Sequence, residues 1–476
     1  MEILIKAAQL VVALVILVTV HEFGHYIFAR IFGVKVNRFY LFFNPYFSIL
    51  RYNPNGGTLD LFARNGGKSV VTLKVGKKHE ARPDGKATWR DTVYGLGWVP
   101  LGGYCDIAGM VDETKSASDL ESEPQSWELR SKPAWQRLCV MVAGVVFNFI
   151  LAIVIYTGIA YHWGDDYIPY QAMTEGMDFS EEMQAAGFRN GDILLTLNDA
   201  PLDINDYSSL WDMIQPGVRV GVQRDSETTE IVISDNLVRS MATKGKEYVP
   251  MSMRVPVYAA KVMPGEPAMH AGIKSGDRIL TVGADTVPTI TEFLPSLQSH
   301  AGESVAMHLL RADGTHDFVT VAISDAGKIG IQMLSPLEIF KRETKDYNLL
   351  QSIPRGWEIG TDRLVSYVSS LKLIFTKEGA QSLGGFGTLG DLFPTSWSWF
   401  AFWQITAFLS IILAFMNIIP IPGLDGGYTL FLLVEMVTGR KPSDRFLEIV
   451  NTCGFIFLLL LLIYANGNDI YRFFLK

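Results

Sequence analysis

The sequence predicts a multi-pass α-helical membrane protein with about four transmembrane helices and two β-rich modules in its longest interhelical segment. Three observations predict this class. Of 476 residues, 49% are hydrophobic, and the mean hydropathy is +0.20, which is too apolar for an ordinary soluble protein. Four apolar stretches can cross a bilayer. A sequence pattern also occurs twice between the second and third stretches.

A membrane-spanning helix needs about 20 largely apolar residues. Suitable stretches cover about 3–32, 138–161, 399–419 and 453–464, the last with apolar flanks on both sides. The first stretch could instead be a signal peptide. However, no small-residue cleavage site follows it, and the apolar run continues into His21. We therefore expect four spans.

Charge and cysteine content exclude other classes. The formal net charge is -8, whereas a nucleic-acid binder needs clustered Lys and Arg, so we expect no nucleic-acid partner. The three cysteines, Cys105, Cys139 and Cys453, are far apart in the sequence. They suggest neither a disulfide framework nor a thiolate zinc site.

The two long segments between spans lie on opposite membrane faces. The short loop between the third and fourth spans carries Arg440, Lys441 and Arg445, which places it and the first long segment in the cytoplasm. The predicted divisions are spans at 1–33, 138–163, 397–425 and 450–474, cytoplasmic regions at 34–137 and 426–449, outer modules at 168–250 and 252–335, and a connecting region at 336–396.

The outer segment contains an internal repeat. Ala186–Leu197 matches Ala271–Val282 at a constant offset of 85. In each copy a helical end stops at a glycine, a Gly-Asp turn follows, and a leucine and β-branched run predicts a strand. This pattern resembles the PDZ domain. The resemblance implies two PDZ modules, which offer possible binding sites for peptide C-termini.

The connecting region predicts an amphipathic helix and a hinge. Residues 353–375 carry apolar positions at helical spacing, and glycines cluster at 383–387. The helix is either a connector along the membrane surface or a specific gate, and both interpretations stay open.

His21-Glu22-Phe23-Gly24-His25 is an H-E-x-x-H motif. Side chains four residues apart lie on one face of a helix, so both imidazoles can bind one zinc ion. Zinc activates a water molecule, and Glu22 can take its proton during attack on a peptide carbonyl. Polar residues inside an apolar helix are costly and indicate function. The alternative is a polar cluster at the membrane interface.

Zinc requires a third protein ligand. The other histidines fall in predicted loops or in the repeat modules. Asp425 is the acidic candidate in an apolar context near the third and fourth spans, where prolines and glycines break the helix. Irregular backbone is tolerated at membrane depth where it lines a cavity or is covered by protein. Asp425 is therefore the predicted carboxylate ligand, and the alternative is a Pro-Gly turn at a membrane exit.

The HEFGH motif on the first span and N-x-x-P-x-P-x-LDGG, beginning at Asn417, resemble the site-2 protease family of intramembrane metalloproteases. Paired PDZ modules narrow the resemblance to the bacterial branch that regulates sigma-E. The resemblance implies Zn²⁺ binding by His21, His25 and Asp425, acid–base catalysis by Glu22, and substrate binding by Asn417, Pro420 and Pro422. It further implies a re-entrant β-structure from about Val36 to Tyr104, to which residues 54–90 are an addition.

The resemblance also implies a function and a location. We expect an enzyme of the bacterial inner membrane that cleaves transmembrane segments of single-pass proteins already shortened on their outer side. Expected substrates are an anti-sigma factor and remnant signal peptides. The PDZ modules would be periplasmic, and the active site would lie towards the cytoplasm.

Two other functions compete with this one. The first is a membrane-anchored PDZ scaffold without proteolytic activity, but the intact set of four candidate catalytic residues argues against it. The second is a zinc transporter, which predicts a path of several polar clusters along the spans, whereas one cluster is visible.

Overall fold

The chain forms two compact units in a computed structural model that describes residues 2–65, 69–78, 88–110, 123–202, 215–225, 227–242, 249–371 and 384–474. We call Met1–Trp163 with Tyr347–Lys476 the helical unit, and Gly164–Asp346 the inserted unit. The helices are α1 Glu2–Ile31, α2 Ala134–Trp163, α3 Glu181–Ala185, α4 Asp235–Ala242, α5 Pro267–His270, α6 Ile290–Ser299, α7 Pro336–Ile339, α8 Leu349–Ser370, α9 Phe386–Asp391, α10 Trp399–Ile418, α11 Asp425–Thr438 and α12 Asp444–Phe474.

The strands belong to both units. Those of the helical unit are β1 Val36–Phe43, β2 Phe47–Asn53, β3 Thr58–Arg64, β4 Ser69–Lys74, β5 Val93–Leu96 and β6 Val99–Ile107. Those of the inserted unit are β7 Asp165–Tyr167, β8 Met177–Phe179, β9 Ile193–Leu197, β10 Ala200–Pro201, β11 Arg219–Arg224, β12 Glu227–Val232, β13 Met251–Met253, β14 Ala259–Val262, β15 Arg278–Val282, β16 Asp285–Thr286, β17 Ser304–Leu310, β18 His316–Ala322, β19 Ile331–Met333 and β20 Glu343–Lys345.

Among the described residues, four helices are long and apolar enough to cross a membrane. They are α1, α2, α10 and the part of α12 from Arg445 to Tyr471. Each of the four predicted apolar stretches corresponds to one of these helices. The last helix, α12, extends beyond its apolar centre at 453–464 on both sides.

Helix α2 is the centre of the helical unit and packs against α1, α8, α10 and α11. Small residues allow this close packing, as in membrane helices generally. A Cβ added to Gly24 of α1 would stand 2.6 Å from the carbonyl oxygen of Ala143 in α2. Gly356 and Gly360 bring α8 equally close to Thr157 and Ile153. Helices α1 and α2 are therefore in close contact at the HEFGH motif.

The helical unit also contains a six-stranded sheet in the order β4-β3-β2-β5-β1-β6. The β1 and β5 strands are parallel, and the other neighbours in the sheet are antiparallel. The β6 strand forms one edge and packs against α1. The segment at 54–90, which the resemblance identified as an addition, contributes β3 and β4 at the opposite edge.

Two segments differ from the sequence expectations. Residues 426–449, expected to be a loop, contain most of α11, because the apolar run from Tyr428 to Val434 continues a helix begun at Asp425. The expected hinge at 383–387 runs into α9, and Asp469 of α12 accepts hydrogen bonds from the backbone N–H groups of Gly385 and Thr388. Leu383 and Phe375 lie outside the described residues.

The inserted unit contains two four-stranded sheets of identical topology. The orders are β10-β9-β11-β12 and β16-β15-β17-β18. A two-stranded sheet accompanies each, β13 with β8 and β14 with β19. Each half has its own buried apolar core, with Phe188 and Leu194 in the first and Ile279 and Phe293 in the second. The sequence repeat therefore corresponds to a structural repeat.

The Gly-Asp turn of each repeat anchors an arginine. Asp192 accepts two hydrogen bonds from Arg224, at 2.8 Å and 2.6 Å, and Asp277 accepts one from Arg311 at 2.5 Å. Both arginines also donate to the carbonyl of the repeat's capping glycine. Both repeats therefore contain the same partly buried ion pair between this aspartate and an arginine.

Candidate metal centre

His21, Glu22 and His25 lie in α1, where the helical repeat places both imidazoles on one face. The two rings are buried, with 9% and 5% of their surfaces exposed. Their Nε2 atoms are 3.3 Å apart. Helix geometry alone therefore brings together two of the predicted ligands.

Asp425 completes a triangle with these two nitrogens. Its Oδ2 atom lies 3.1 Å from Nε2 of His21 and 3.1 Å from Nε2 of His25. Ligand atoms about 2.0–2.1 Å from a tetrahedral zinc ion stand about 3.3 Å apart, so the triangle has the right size. Oδ2 is also buried without a hydrogen-bond partner of its own. Two imidazoles and one carboxylate therefore fit zinc and leave its fourth position open.

Among the described residues, this is the only group of at least three His, Cys, Asp or Glu side chains close enough to share an ion. This group does not include His162, His270, His300, His308 or His316. His79 lies outside the described residues. A second such group, as a transporter path would need, is absent from the described part of the spans.

Helix α2 orients the His25 ring. The backbone carbonyl of Val140 lies 2.8 Å from Nδ1 of His25. A carbonyl oxygen only accepts hydrogen bonds, so Nδ1 carries the proton and the lone pair of Nε2 faces Asp425. His25 is therefore held in the tautomer that a metal ligand requires.

The Glu22 carboxylate lies next to the triangle and outside it. It interacts electrostatically with His21, His25 and Asp425, and it accepts a hydrogen bond from the backbone N–H of Cys105 in β6. The edge strand thus fixes the carboxylate beside the metal position. This arrangement suits an acid–base group rather than a fourth ligand.

Gly144 of α2 forms the floor of the site. A Cβ at this position would lie 2.7 Å from Cε1 of His21 and still closer to Nε2 of His25. His25 cannot move away freely, because Val140 holds its Nδ1. The site therefore depends on the absence of a side chain at residue 144.

We expect Gly144→Ala to lower zinc affinity about 10–100-fold, the effect typical of lost ligand orientation. Chelator competition on the purified chain measures this change. Gly158→Ala is the matched control, because it changes the same helix at a position with no atom within 4 Å of the new Cβ. Equal zinc affinity in the two variants would contradict this account of Gly144.

The segment from Asn417 to Asp425 carries the chain from α10 into α11. Helix α10 ends at Ile418, and the chain turns back so tightly that a Cβ on Gly426 would collide with the carbonyl of Ile419. A Cβ on Gly427 would lie 2.6 Å from the carbonyl oxygen of Ile421. The two glycines after Asp425 therefore allow the turn that points its carboxylate towards the histidines.

The other predicted site residues lie along this turn. Asn417 is 8% exposed in the last turn of α10. Pro420 is exposed and Pro422 is half-buried. None of the three belongs to the metal triangle.

Three residues that contact the site were not singled out from the sequence for this role. Val140 and Cys105 act through backbone atoms. Every residue type has these atoms, so the residue type does not reveal such a contact. Asn148 lies 3.2 Å from Nδ1 of His21, and its position as a polar residue in an apolar span is a signal in the sequence.

The chain resembles known proteins along almost its whole length. The profile of peptidase family M50 matches residues 9–72 and 81–461. A regulator of sigma E protease from Haemophilus influenzae is 26% identical over 491 residues, covering 99% of this chain and 100% of that protein. A regulator of sigma-E protease from Escherichia coli is 25% identical over 502 residues, with 98% of each chain covered. A Neisseria meningitidis protein, provisionally named a zinc metalloprotease, is 27% identical over 484 residues, with 97% of each covered.

These matches confirm the predicted resemblance to site-2 proteases and to their sigma-E branch. They also confirm the predicted enzyme class and the predicted zinc cofactor, which decides against a scaffold without activity. The chain belongs to peptidase family M50 and is a zinc metalloprotease of the membrane.

Proposed function

We propose that this protease hydrolyses peptide bonds inside the transmembrane segments of single-pass membrane proteins that are already shortened on their outer side. One observation carries the proposal. The triangle of His21, His25 and Asp425 joins α1, a helix apolar enough to cross a membrane, to the first residue of α11, which follows a second such helix, α10. A hydrolytic site beside two such helices would serve substrates that lie in the bilayer.

In this proposal His21, His25 and Asp425 bind zinc, and Glu22 is the acid–base residue. Bound zinc supplies a Lewis acid that polarises the substrate carbonyl and activates water. Glu22 takes a proton from the attacking water and gives it to the leaving amine. The hydrogen bond from Cys105 keeps the Glu22 carboxylate in place between these two transfers.

A transmembrane helix hides its peptide carbonyls in internal hydrogen bonds, so a substrate must unwind before hydrolysis. The β6 strand could hold the substrate in its unwound form. Among the described strands, β6 pairs with β1 alone, so no strand pairs with its other edge. An unwound substrate can add there as a further strand. Asn417, Pro420 and Pro422 would then hold the substrate from the side of the α10–α11 turn.

The two repeats of the inserted unit are proposed to be PDZ modules that act as a size filter. Ion pairs tie the halves together: Arg254 contacts Asp178 and Glu292, and Arg278 contacts Glu175. Asp178 and Glu175 belong to the first half, whereas Glu292 and Arg278 belong to the second. A stiff pair of modules suits the exclusion of bulky outer domains better than two independent ones. Capture of peptide C-termini is a further possible role of the modules.

The proposed location is the bacterial inner membrane, with the modules in the periplasm and the catalytic site towards the cytoplasm. Relatives named as regulators of sigma-E support an anti-sigma factor as one substrate. Remnant signal peptides are the second proposed substrate class, because they too are short single spans without an outer domain.

Two substrates test the size filter. They share one transmembrane segment and tail, and one carries a short outer peptide where the other carries a folded domain. We expect the chain to cleave the first and leave the second intact until its outer domain is removed by another protease. Equal cleavage of both would end the filter proposal, whereas cleavage of neither would count against intramembrane proteolysis itself.

A further inference from the structure

Asn148 is a fully buried side chain within α2, a helix apolar enough to cross a membrane. An amide in such surroundings is unfavourable unless it forms hydrogen bonds. Polar residues inside membrane spans are therefore expected to serve a function. The mechanism above does not use this residue.

Asn148 belongs to a stripe of α2 that faces the metal centre. Val140, Gly144 and Asn148 follow one another at intervals of four residues, so they share one face of the helix. Val140 contacts Nδ1 of His25, and Gly144 lies beneath both rings. Asn148 stands at Nδ1 of His21, with its amide nitrogen 3.2 Å away. Each histidine thus has one partner on α2 at its Nδ1 atom.

The orientation of the Asn148 amide decides what it does to His21. The oxygen and nitrogen of an asparagine amide have nearly the same shape, so the hydrogen bonds they form decide which of them faces a neighbour. With the nitrogen towards His21, the Oδ1 atom is buried without a partner. An amide nitrogen can only donate, which would force the His21 proton onto Nε2, the atom that faces Asp425. That tautomer cannot bind zinc.

Rotating the amide by half a turn resolves the conflict at His21. Oδ1 then accepts a hydrogen bond from Nδ1–H of His21, and the lone pair of Nε2 faces Asp425. The backbone of Asn148 is held separately, because Ser410 of α10 donates a 2.7 Å hydrogen bond to its carbonyl oxygen. The side chain of Asn148 therefore serves the contact with His21.

We propose that Asn148 is a positioning residue that accepts a hydrogen bond from Nδ1 of His21 and so keeps Nε2 available for zinc. The inference rests on the proposed ligand set. Partners of this kind contribute about 10–100-fold to metal affinity in other zinc sites. Helix α2 would then select the ligand tautomer of both histidines, through a backbone carbonyl for His25 and a side-chain oxygen for His21.

Three variants of the full chain test the proposal by chelator competition for zinc. We expect Asn148→Ala to weaken zinc binding about 10–100-fold, because it removes the acceptor. Asn148→Asp should restore most of the affinity, since its carboxylate has the same shape and accepts hydrogen bonds. Ser410→Ala should keep the parent affinity, because it alters only the backbone contact. Parent affinity in Asn148→Ala, or equal loss in the alanine and aspartate variants, would overturn the proposal.

A measurement on the unmodified chain covers the case in which the Asn148 variants do not fold. With ¹⁵N-labelled histidine and zinc bound, the NMR spectrum should show Nδ1 of His21 protonated and hydrogen-bonded. A deprotonated Nδ1 would overturn the role of Asn148. X-ray absorption on the same sample counts the imidazole ligands. Fewer than two would refute the proposed ligand set, whereas two with a deprotonated Nδ1 would refute only the role of Asn148.

Discussion

Glu22→Gln should reduce cleavage of a single-span substrate by roughly 100-fold to 10,000-fold, the contribution typical of a general acid–base residue. Glutamine has the same shape but cannot take a proton from water. It can still accept the hydrogen bond from Cys105 that Glu22 receives, so β6 should stay in place. Zinc content should remain at that of the parent, because Glu22 lies outside the metal triangle.

The measurement is the rate of substrate cleavage in detergent or lipid nanodiscs, with zinc content determined on the same samples. Glu303→Gln is the matched control, since it makes the same change at an exposed position of the inserted unit. Near-parent cleavage by the Glu22 variant would refute its acid–base role. Loss of zinc in this variant would instead indicate that Glu22 helps to bind the metal.

Asp425→Ala should remove zinc from the purified chain and abolish cleavage. Outer partners of a zinc site contribute about 10–100-fold to affinity, so loss of a direct ligand should cost more than 100-fold. Alanine also leaves Nε2 of His21 and of His25 without the oxygen that lies 3.1 Å from each. Two imidazoles alone should not retain zinc against a chelator.

Zinc content after mild chelation and the rate of cleavage measure this effect. Asp362→Ala is the matched control, because it removes an exposed carboxylate from α8 of the same helical unit. A zinc-loaded, active Asp425 variant would show that another residue supplies the third ligand.

Much of the site could be predicted because its signals are local. The spacing of His21 and His25 is fixed by one turn of helix, so two ligands follow from residue type and helical periodicity. Asp425 is further away in sequence and could be selected only by its setting among helix-breaking residues in an apolar segment. In the structure, the Oδ2 atom of Asp425 lies 3.1 Å from Nε2 of each histidine.

The rest of the site could not be predicted because it depends on tertiary contacts. The Asn148 contact joins residues 127 positions apart. The Val140 and Cys105 contacts use backbone atoms that every residue type possesses. Gly144 is required because α1 and α2 pack closely at this position. The distance between two packed helices cannot be read from the sequence of either helix alone.

The repeat in the inserted unit also shows that the sequence predicts local structure but not tertiary contacts. Its constant offset of 85 predicted two equivalent modules, and the Gly-Asp turns do occupy equivalent places. Their arginine partners, Arg224 and Arg311, follow the two aspartates at different sequence distances. A sequence comparison at fixed offset therefore finds Asp192 and Asp277 but misses the ion pairs that explain them.

Anomalous X-ray scattering from crystals of the full chain, recorded at the zinc absorption edge, tests the central claim most directly. The account predicts one zinc peak about 2.0–2.1 Å from Nε2 of His21, Nε2 of His25 and the carboxylate of Asp425. A zinc peak bound without Asp425, or no peak between α1 and α11, would contradict it.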